Sequence, residues 1–407
     1  MFVVTLLVAS LLFFVAAGLI LIHNLYFFRG LKDHYCGHQR LNKSDPPSVS
    51  ILIPARNEED TLPRLLDSLL KQDYPISEIL VLDDASTDKT REVVLGKAES
   101  SAMPIRIHTG MEKPDSWMGK NWACHQLSQL AKGDIFIFLD ADTWLHPETI
   151  GRLMERMLGD DLDFATVWPH QIMTTWSEKM IIPTVYSTIP GYLPTRYSYR
   201  APRWIPSEKI RTAVKPLFAT ACGQCLIFRK DAYFETGGHA AVKSEVVEDV
   251  MLAKNIVRAG KTMKMFHGTD RIWCRMYRNH KEVFSGFRKN FFAGFGYRYL
   301  PFMLAWLLHI VVYLMPPVLL VLALLSVQLE TVFPGTAAFE QKLITWLSVF
   351  AVSAAFLQRA TITFFMKWPS ITAMMHLPGI LWFQMLAIVV ISDRLGNRQA
   401  SWKGRKV

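Results

Sequence analysis

Four long apolar runs bracket a polar middle, and no other feature of this chain limits its fold as much. Residues 2–22 carry no charge and are long enough to cross a bilayer at about 1.5 Å per residue. A second run lies at 301–325, a third begins at Leu343 and a fourth spans 372–391. Between them, residues from about 45 to 295 are polar and periodic, as a globular domain is. At 51% hydrophobic residues the chain exceeds an ordinary soluble protein, and the excess is localised in these runs. The spacing predicts an N-terminal anchor (1–24), a juxtamembrane linker (25–48), a globular domain (49–295), a C-terminal membrane region (296–392) and a basic tail (393–407).

No basic residue precedes the first run, whereas Arg29, Lys32 and Arg40 follow it. That polarity is opposite to a cleaved leader and suits an anchor with its N-terminus outside and the domain in the cytoplasm. The expected location is the cell membrane, with several passes. If every C-terminal run crossed, Arg394, Arg398, Lys403, Arg405 and Lys406 would end outside, against the positive-inside rule. The third run also holds Gln358-Arg359, and the fourth holds His376 and Pro378. One of these two is therefore expected to be re-entrant or interfacial, leaving the tail cytoplasmic.

Basic residues bring the net charge to +10. They gather at Arg196, Arg200, Arg203, Lys209, Arg211 and Lys215, near Trp176, Tyr186, Tyr192, Tyr197, Tyr199 and Trp204. Mixed aromatic and basic residues over 176–215 read as a stretch lying on anionic headgroups rather than on nucleic acid. Five cysteines, widely spread, make no disulfide framework. Cys222-Gly-Gln-Cys225 lacks a second pair and His34-x-Cys36-x-His38 lacks a fourth ligand, so both are read as buried or incidental thiols.

Inside the domain, strands at 49–53, 78–82, 105–108 and 135–139 alternate with helices at 61–72, 89–99 and 119–131. That alternation predicts an α/β domain with a mostly parallel sheet. Ser86 or Thr87 is the expected cap of the second helix. Further on, 219–228 and 263–267 read as strands, while helices follow at 248 and from about 281 to 295. Acidic clusters recur at strand ends and helix starts: Glu58-Glu59, Asp83-Asp84, Asp140/Asp142 and Glu248-Asp249. Asp140 and Asp142 flank Ala141 at the end of an apolar run. They suit a hard divalent cation shared with a diphosphate, or an Asx turn that ends the strand. Lys120, at a helix N-terminus, is a phosphate contact or a surface lysine. No G-x-S-x-G or G-x-G-x-x-G is present, which removes support for serine hydrolysis and for a dinucleotide cofactor. The clusters fit transfer from a nucleotide diphosphate donor, with a late Asp accepting the acceptor's proton.

The run Pro54-Ala-Arg-Asn-Glu-Glu59, Asp83-Asp-Ala-Ser-Thr-Asp88, Asp140-Ala-Asp142, Gly237-Gly-His239 and Glu248-Asp249 resembles the family-2 glycosyltransferases of GT-A fold, over residues 49–295. Gly119-Lys-Asn-Trp-Ala-Cys124, Arg275-Met-Tyr277 and Trp402-Lys-Gly-Arg405 are similar to the membrane-bound branch that glycosylates carotenoids, hopanoids and, more remotely, ceramide. The resemblance implies a UDP-sugar donor, a membrane lipid acceptor and Mg²⁺ or Mn²⁺. It places Pro54, Arg56, Glu58, Asp83, Asp84 and Lys120 on the nucleotide sugar, Asp140 on the donor and metal, and Asp142 on the metal. Asp249 becomes the base of an inverting displacement, with Glu248 beside it. Gly223, His239, Arg275 and Arg288 are candidate acceptor or diphosphate contacts, and Lys289 shares the last role. The Q/R-x-x-R-W motif of processive members is absent, which favours adding one sugar. A polyisoprenyl-phosphate or polysaccharide transferase is the alternative enzyme, and a non-catalytic nucleotide-sugar-binding membrane protein is the alternative outside enzymes.

Overall fold

A computed structural model describes residues 1–31, 46–325, 338–396 and 398, together with the backbone of 401–402 and 405–406. The readings made on Lys32, His34, Cys36, His38, Arg40 and Lys403, and on the side chains of Arg405 and Lys406, fall outside the described residues.

Strands β1 (Val49–Ala55), β2 (Glu78–Asp83), β3 (Ile105–Thr109), β4 (Ile135–Leu139), β5 (Thr143–Leu145), β6 (Phe164–Gln171), β7 (Cys225–Arg229) and β8 (Met263–Cys274) form one sheet, in the order β3-β2-β1-β4-β7-β6-β8-β5. The half from β3 to β4 is parallel. Every residue of β2 and β4 is buried, as expected for strands covered by helices on both faces. Helices Leu62–Leu69 and Thr149–Gly159 cover one face through Leu62, Leu65, Leu66, Leu153 and Met157. Helices Gly119–Leu130 and Glu248–Arg258 cover the other through Ala123, Leu127, Leu252 and Ile256.

The sheet reverses at β4. Strand β7 pairs with it antiparallel, Leu139 opposite Cys225, so the start of β7 lies beside the end of β4. The apolar run expected as a strand from 219 is a strand only from Cys225. Residues 219–224 form a loop instead, held by Cys222 N–H donating to Thr166 Oγ1 at 2.9 Å, and Asp140 N–H donates to Gln224 O at 3.2 Å. The helix Thr90–Glu99 also starts differently from expectation. Asp88, not Ser86 or Thr87, takes its first amide, from Thr90 at 3.0 Å.

Among the described residues, four helices are long and apolar enough to cross a membrane: Phe2–Phe27, Tyr299–Leu324, Phe339–Phe365 and His376–Leu395. The first is tied to the domain's underside by Asn24. Its amide donates to Leu193 O at 2.7 Å and its Oδ1 accepts from Thr195 N–H at 3.1 Å. Arg359 does not break the third run, because it turns inward. It is buried and donates to Pro183 O and Ser187 Oγ, both at 2.5 Å. The chain on either side of the last helix touches the domain side: Lys367 pairs with Asp270 and Asp393 with Arg288, each at 2.6 Å. Stretch 176–215 divides in two. Helix Trp176–Tyr186 is packed, with Ile181 and Ile182 buried, whereas helix Glu208–Val214 buries nothing and Trp204, Ile210 and Leu217 are exposed.

Candidate active site

The carboxyl ends of β1, β2 and β4 open on a cavity of about 1570 Å³, where open α/β sheets bind ligands. The loops after β1 and β2 are joined into one wall. Asn57, in left-handed backbone at φ 53°, donates its N–H to Ser86 Oγ at 3.0 Å and accepts from Thr87 N–H at 2.8 Å. Short polar Asn tolerates that conformation better than most residues. Glu58 N–H bonds Thr90 Oγ1, Glu59 N–H bonds Asp88, and Arg56 Nη1 donates to Asp84 O at 2.9 Å. Pro54, Arg56, Glu58 and Asp84 line the cavity.

Beyond β4 the wall is made by Asp140 and Asp142. Lys120 Nζ lies 2.7 Å from Asp140 Oδ1 and 3.3 Å from Glu248 Oε1, and donates to Gly223 O at 3.3 Å. Burial works against its charge, but Asp140 and Glu248 outweigh burial and hold the ammonium well above its usual pKa. Lys120 is therefore held in the cavity wall by two carboxylates rather than standing as a lone surface lysine. Asp142 accepts a weak bond from Cys274 Sγ at 3.4 Å.

The helix Glu248–Arg258 enters from the opposite side and delivers its first two side chains. Asp249 Oδ2 accepts from Gly223 N–H at 2.7 Å, and Oδ1 from its neighbour Val250 N–H at 2.8 Å. Burial, and then the adjacent Glu248 charge, raise Asp249. Lys120 and the two amides pull back, and the carboxyl settles at about 7. That value suits a group that takes a proton near neutral pH. Gly223 is small for a reason, since a Cβ there would stand 3.0 Å from Lys120 Nζ and 3.3 Å from Asp249 Oδ2 and Glu248 Oε1.

The comparisons with known proteins meet this geometry. Residues 50–236 match glycosyl transferase family 2. The match spans nearly all of β1 and every strand through β7, with the loops that carry Arg56, Asp84 and Asp140. This chain is 27% identical over 250 residues to 4,4'-diaponeurosporenoate glycosyltransferase of Staphylococcus haemolyticus, covering 61% of this chain and 62% of that one. It is 24% identical over 261 residues to the protein of the same name from Staphylococcus aureus. The match thus spans about three fifths of those relatives' length. Mannosyltransferase PcManGT from Pyrobaculum calidifontis, solved with GDP-Man and Mn²⁺, aligns over 98% of this chain and 100% of its own at a TM-score of 0.53 and 14% identity. The shared architecture is the GT-A fold.

In this protein, Pro54, Arg56, Glu58, Asp84, Lys120, Asp140, Asp142, Gly223, Glu248, Asp249 and Arg275 share the cavity wall. Three expected residues lie off it. Asp83 braces its own turn by accepting from Ser86 N–H at 2.9 Å. His239 is buried and bonds Tyr233 Oη at 2.8 Å, and burial drives its imidazole down to about 3, so it is a neutral packing residue. Arg288 turns away to Asp393. Its neighbour Lys289 faces the cavity instead. Asn57, inside the Pro54–Glu58 run, lines the cavity too, and so does Asp88, which escaped sequence reasoning although its place in the second acidic loop marked it.

The metal expectation has a definite donor set. Two carboxylates one residue apart share the wall, and among the described residues no group of three or more His, Cys, Asp or Glu gathers to hold an ion. Mg²⁺ commonly uses one or two carboxylates and completes its shell with phosphates and water. The residues fit an ion that arrives with a diphosphate, not one caged by protein alone.

Proposed function

We propose that this protein transfers a single sugar, with inversion, from a UDP-hexose such as UDP-glucose to a lipid in the cell membrane, of the carotenoid or hopanoid kind. One observation carries the reading. The cavity that begins at Pro54–Asp60 and holds Asp249 ends among Phe302, Trp306, Ile380 and Phe383, which belong to the apolar C-terminal helices. A water-borne donor and a lipid acceptor would meet inside it. The relatives' name, which specifies a carotenoid acid, supports the acceptor class.

In this reading the acceptor O–H attacks the anomeric carbon from the Asp249 side. The new C–O bond forms as the bond to the diphosphate breaks, and the acceptor's proton passes to an Asp249 carboxylate oxygen. Gly223 N–H and Val250 N–H fix that carboxylate, and Glu248 keeps it basic. The loops after β1 and β2 orient the nucleoside through Arg56, Glu58 and Asp84. Lys120, already charged against Asp140, moves to the diphosphate with the donor in place, and Lys289 and Arg275 face the same space. Asp140 and Asp142 would hold Mg²⁺ or Mn²⁺, which when bound neutralises the departing diphosphate. PcManGT with GDP-Man and Mn²⁺ supports a divalent ion in this fold.

The domain borders read from the sequence fit this picture, with the catalytic part cytoplasmic. The first three apolar helices would cross. The last would return without crossing, because Lys367 before it and Asp393 near its end both bond elements on the domain side. That arrangement leaves Arg394 and Arg398 in the cytoplasm, as the positive-inside rule asks.

Membranes containing the full chain, incubated with radiolabelled UDP-glucose, other UDP-sugars and GDP-mannose and then extracted with solvent, test the function. Labelled lipid from a UDP-hexose is expected. Label only in polymer, or in no product from any donor, would sink the reading.

A further inference from the structure

At its membrane end the cavity carries polar atoms that the reaction above does not use. Asn290 Oδ1, Trp306 Nε1 and Gln384 Oε1 are buried without a partner among the described residues, and all three residues line the cavity. They come from three different helices, His280–Ala293, Tyr299–His309 and His376–Leu395. Their neighbours bring those helices together. The Phe291 ring lies 5.2 Å from that of Phe302 and 5.3 Å from that of Phe383. Asn290 precedes Phe291, Gln384 follows Phe383, and Trp306 stands four residues, one helical turn, beyond Phe302 on the same face.

Buried polar groups are almost always hydrogen-bonded, and one left alone loses its hydration without return. Three such atoms around one apolar cavity point to a ligand that supplies their partners. Trp306 Nε1 can only donate, so the ligand must accept there. Each amide offers an oxygen or, turned over, an NH₂ group, and can answer a hydroxyl or a carboxylate. A hydrocarbon answers neither.

We propose that Asn290, Trp306 and Gln384 form a head-group subsite that selects lipid acceptors bearing a second hydrogen-bonding oxygen beside the one that receives the sugar, as a carboxyl group does. This rests on the lipid-acceptor reading. The reacting oxygen faces Asp249, and the second one is held by the three side chains, which fixes the angle of approach. A chain ending in a single alcohol leaves these atoms without partners and is the poorer substrate.

The test uses the full chain in lipid nanodiscs with the donor and two acceptors of identical unsaturated chain, one ending in a carboxylic acid and one in a primary alcohol. Trp306→Phe removes only the N–H, and Gln384→Leu alters a different helix. Wild type is expected to favour the acid. Each variant should lose about tenfold in kcat/KM for the acid, the size of one hydrogen bond. The loss should appear in acceptor KM, with donor KM and the alcohol reaction unmoved. Equal losses on both acceptors, or none on the acid, would overturn the subsite. A wild type that glycosylates neither lipid would overturn the lipid-acceptor reading itself, and the subsite with it.

Discussion

The N–H of Gly223 donates to Asp249 Oδ2 at 2.7 Å, which joins the loop before β7 to the first turn of the helix that supplies Asp249. The loop lies beside the end of β4 because the sheet reverses there, so the reversal sets the distance between Asp249 and the Asp140–Asp142 pair. A change at either residue should therefore be felt in chemistry before it is felt in folding.

Asp249→Asn keeps the shape and removes the base. Its kcat is expected to fall by at least about 100-fold, the usual scale of general-base catalysis, with donor KM nearly unchanged. In the wild type, kcat/KM should rise about tenfold per pH unit up to about 7 and then level. The variant should lose that limb. A wild-type profile already flat between pH 5 and 8 would remove Asp249 from the role. Stability runs the other way: a carboxyl raised in the folded state stabilises while protonated, and that contribution fades as pH climbs toward 7.

Gly223→Ala tests the crowding directly. The added methyl meets the mobile end of Lys120 at 3.0 Å and two carboxylates at 3.3 Å. Lys120 should be displaced, and steady-state kinetics should show kcat reduced by roughly tenfold or more, as misplacement near reacting atoms does. Thermal melting should stay near that of the wild type. Full activity in the Gly223→Ala variant would mean that the close contacts do not matter.

Chelation addresses the ion. Treatment with EDTA should abolish transfer, and Mn²⁺ or Mg²⁺ should restore it. Asp142→Ala should stay inactive in the same metal concentrations, because one of two protein ligands is gone. Transfer that persists after exhaustive chelation would show that Lys120 and Lys289 suffice for the diphosphate.

For topology, a cysteine in place of Arg398 should resist a membrane-impermeant maleimide on intact cells and react once they are opened. Cys124, Cys222, Cys225 and Cys274 are buried, so with Cys36→Ser in both proteins the parent serves as the blank. Labelling of intact cells would place the tail outside and make the last helix a true crossing.

The strands and the acidic clusters were legible because their signals are short-range. A buried run such as Ile135–Leu139 followed by Asp140 and Asp142 needs only its own residues to announce a strand and a site. Residues 219–224 misled because small apolar residues serve a strand and a close-packed loop equally well, and only the bond from Cys222 to Thr166 Oγ1, 56 positions away, decides between them. Arg288 and Lys289 are adjacent in sequence. Which one faces the cavity depends on Asp393, 105 residues distant, and no local pattern carries that information. His239 sits in a glycine-rich motif, yet Tyr233 claims it for the core.

The length of the cavity has one more consequence. One end opens between loops of a polar domain and the far end is walled by apolar helices, so the two substrates proposed for it would be counted in different phases. The donor is measured per volume of water, whereas a lipid entering from the bilayer is measured per unit of membrane area. Diluting the acceptor with inert lipid should then slow the enzyme even when the amount of acceptor in the tube stays constant. In the proposed reaction the glycosylated product would leave into the leaflet its precursor came from, while the nucleotide would return to water.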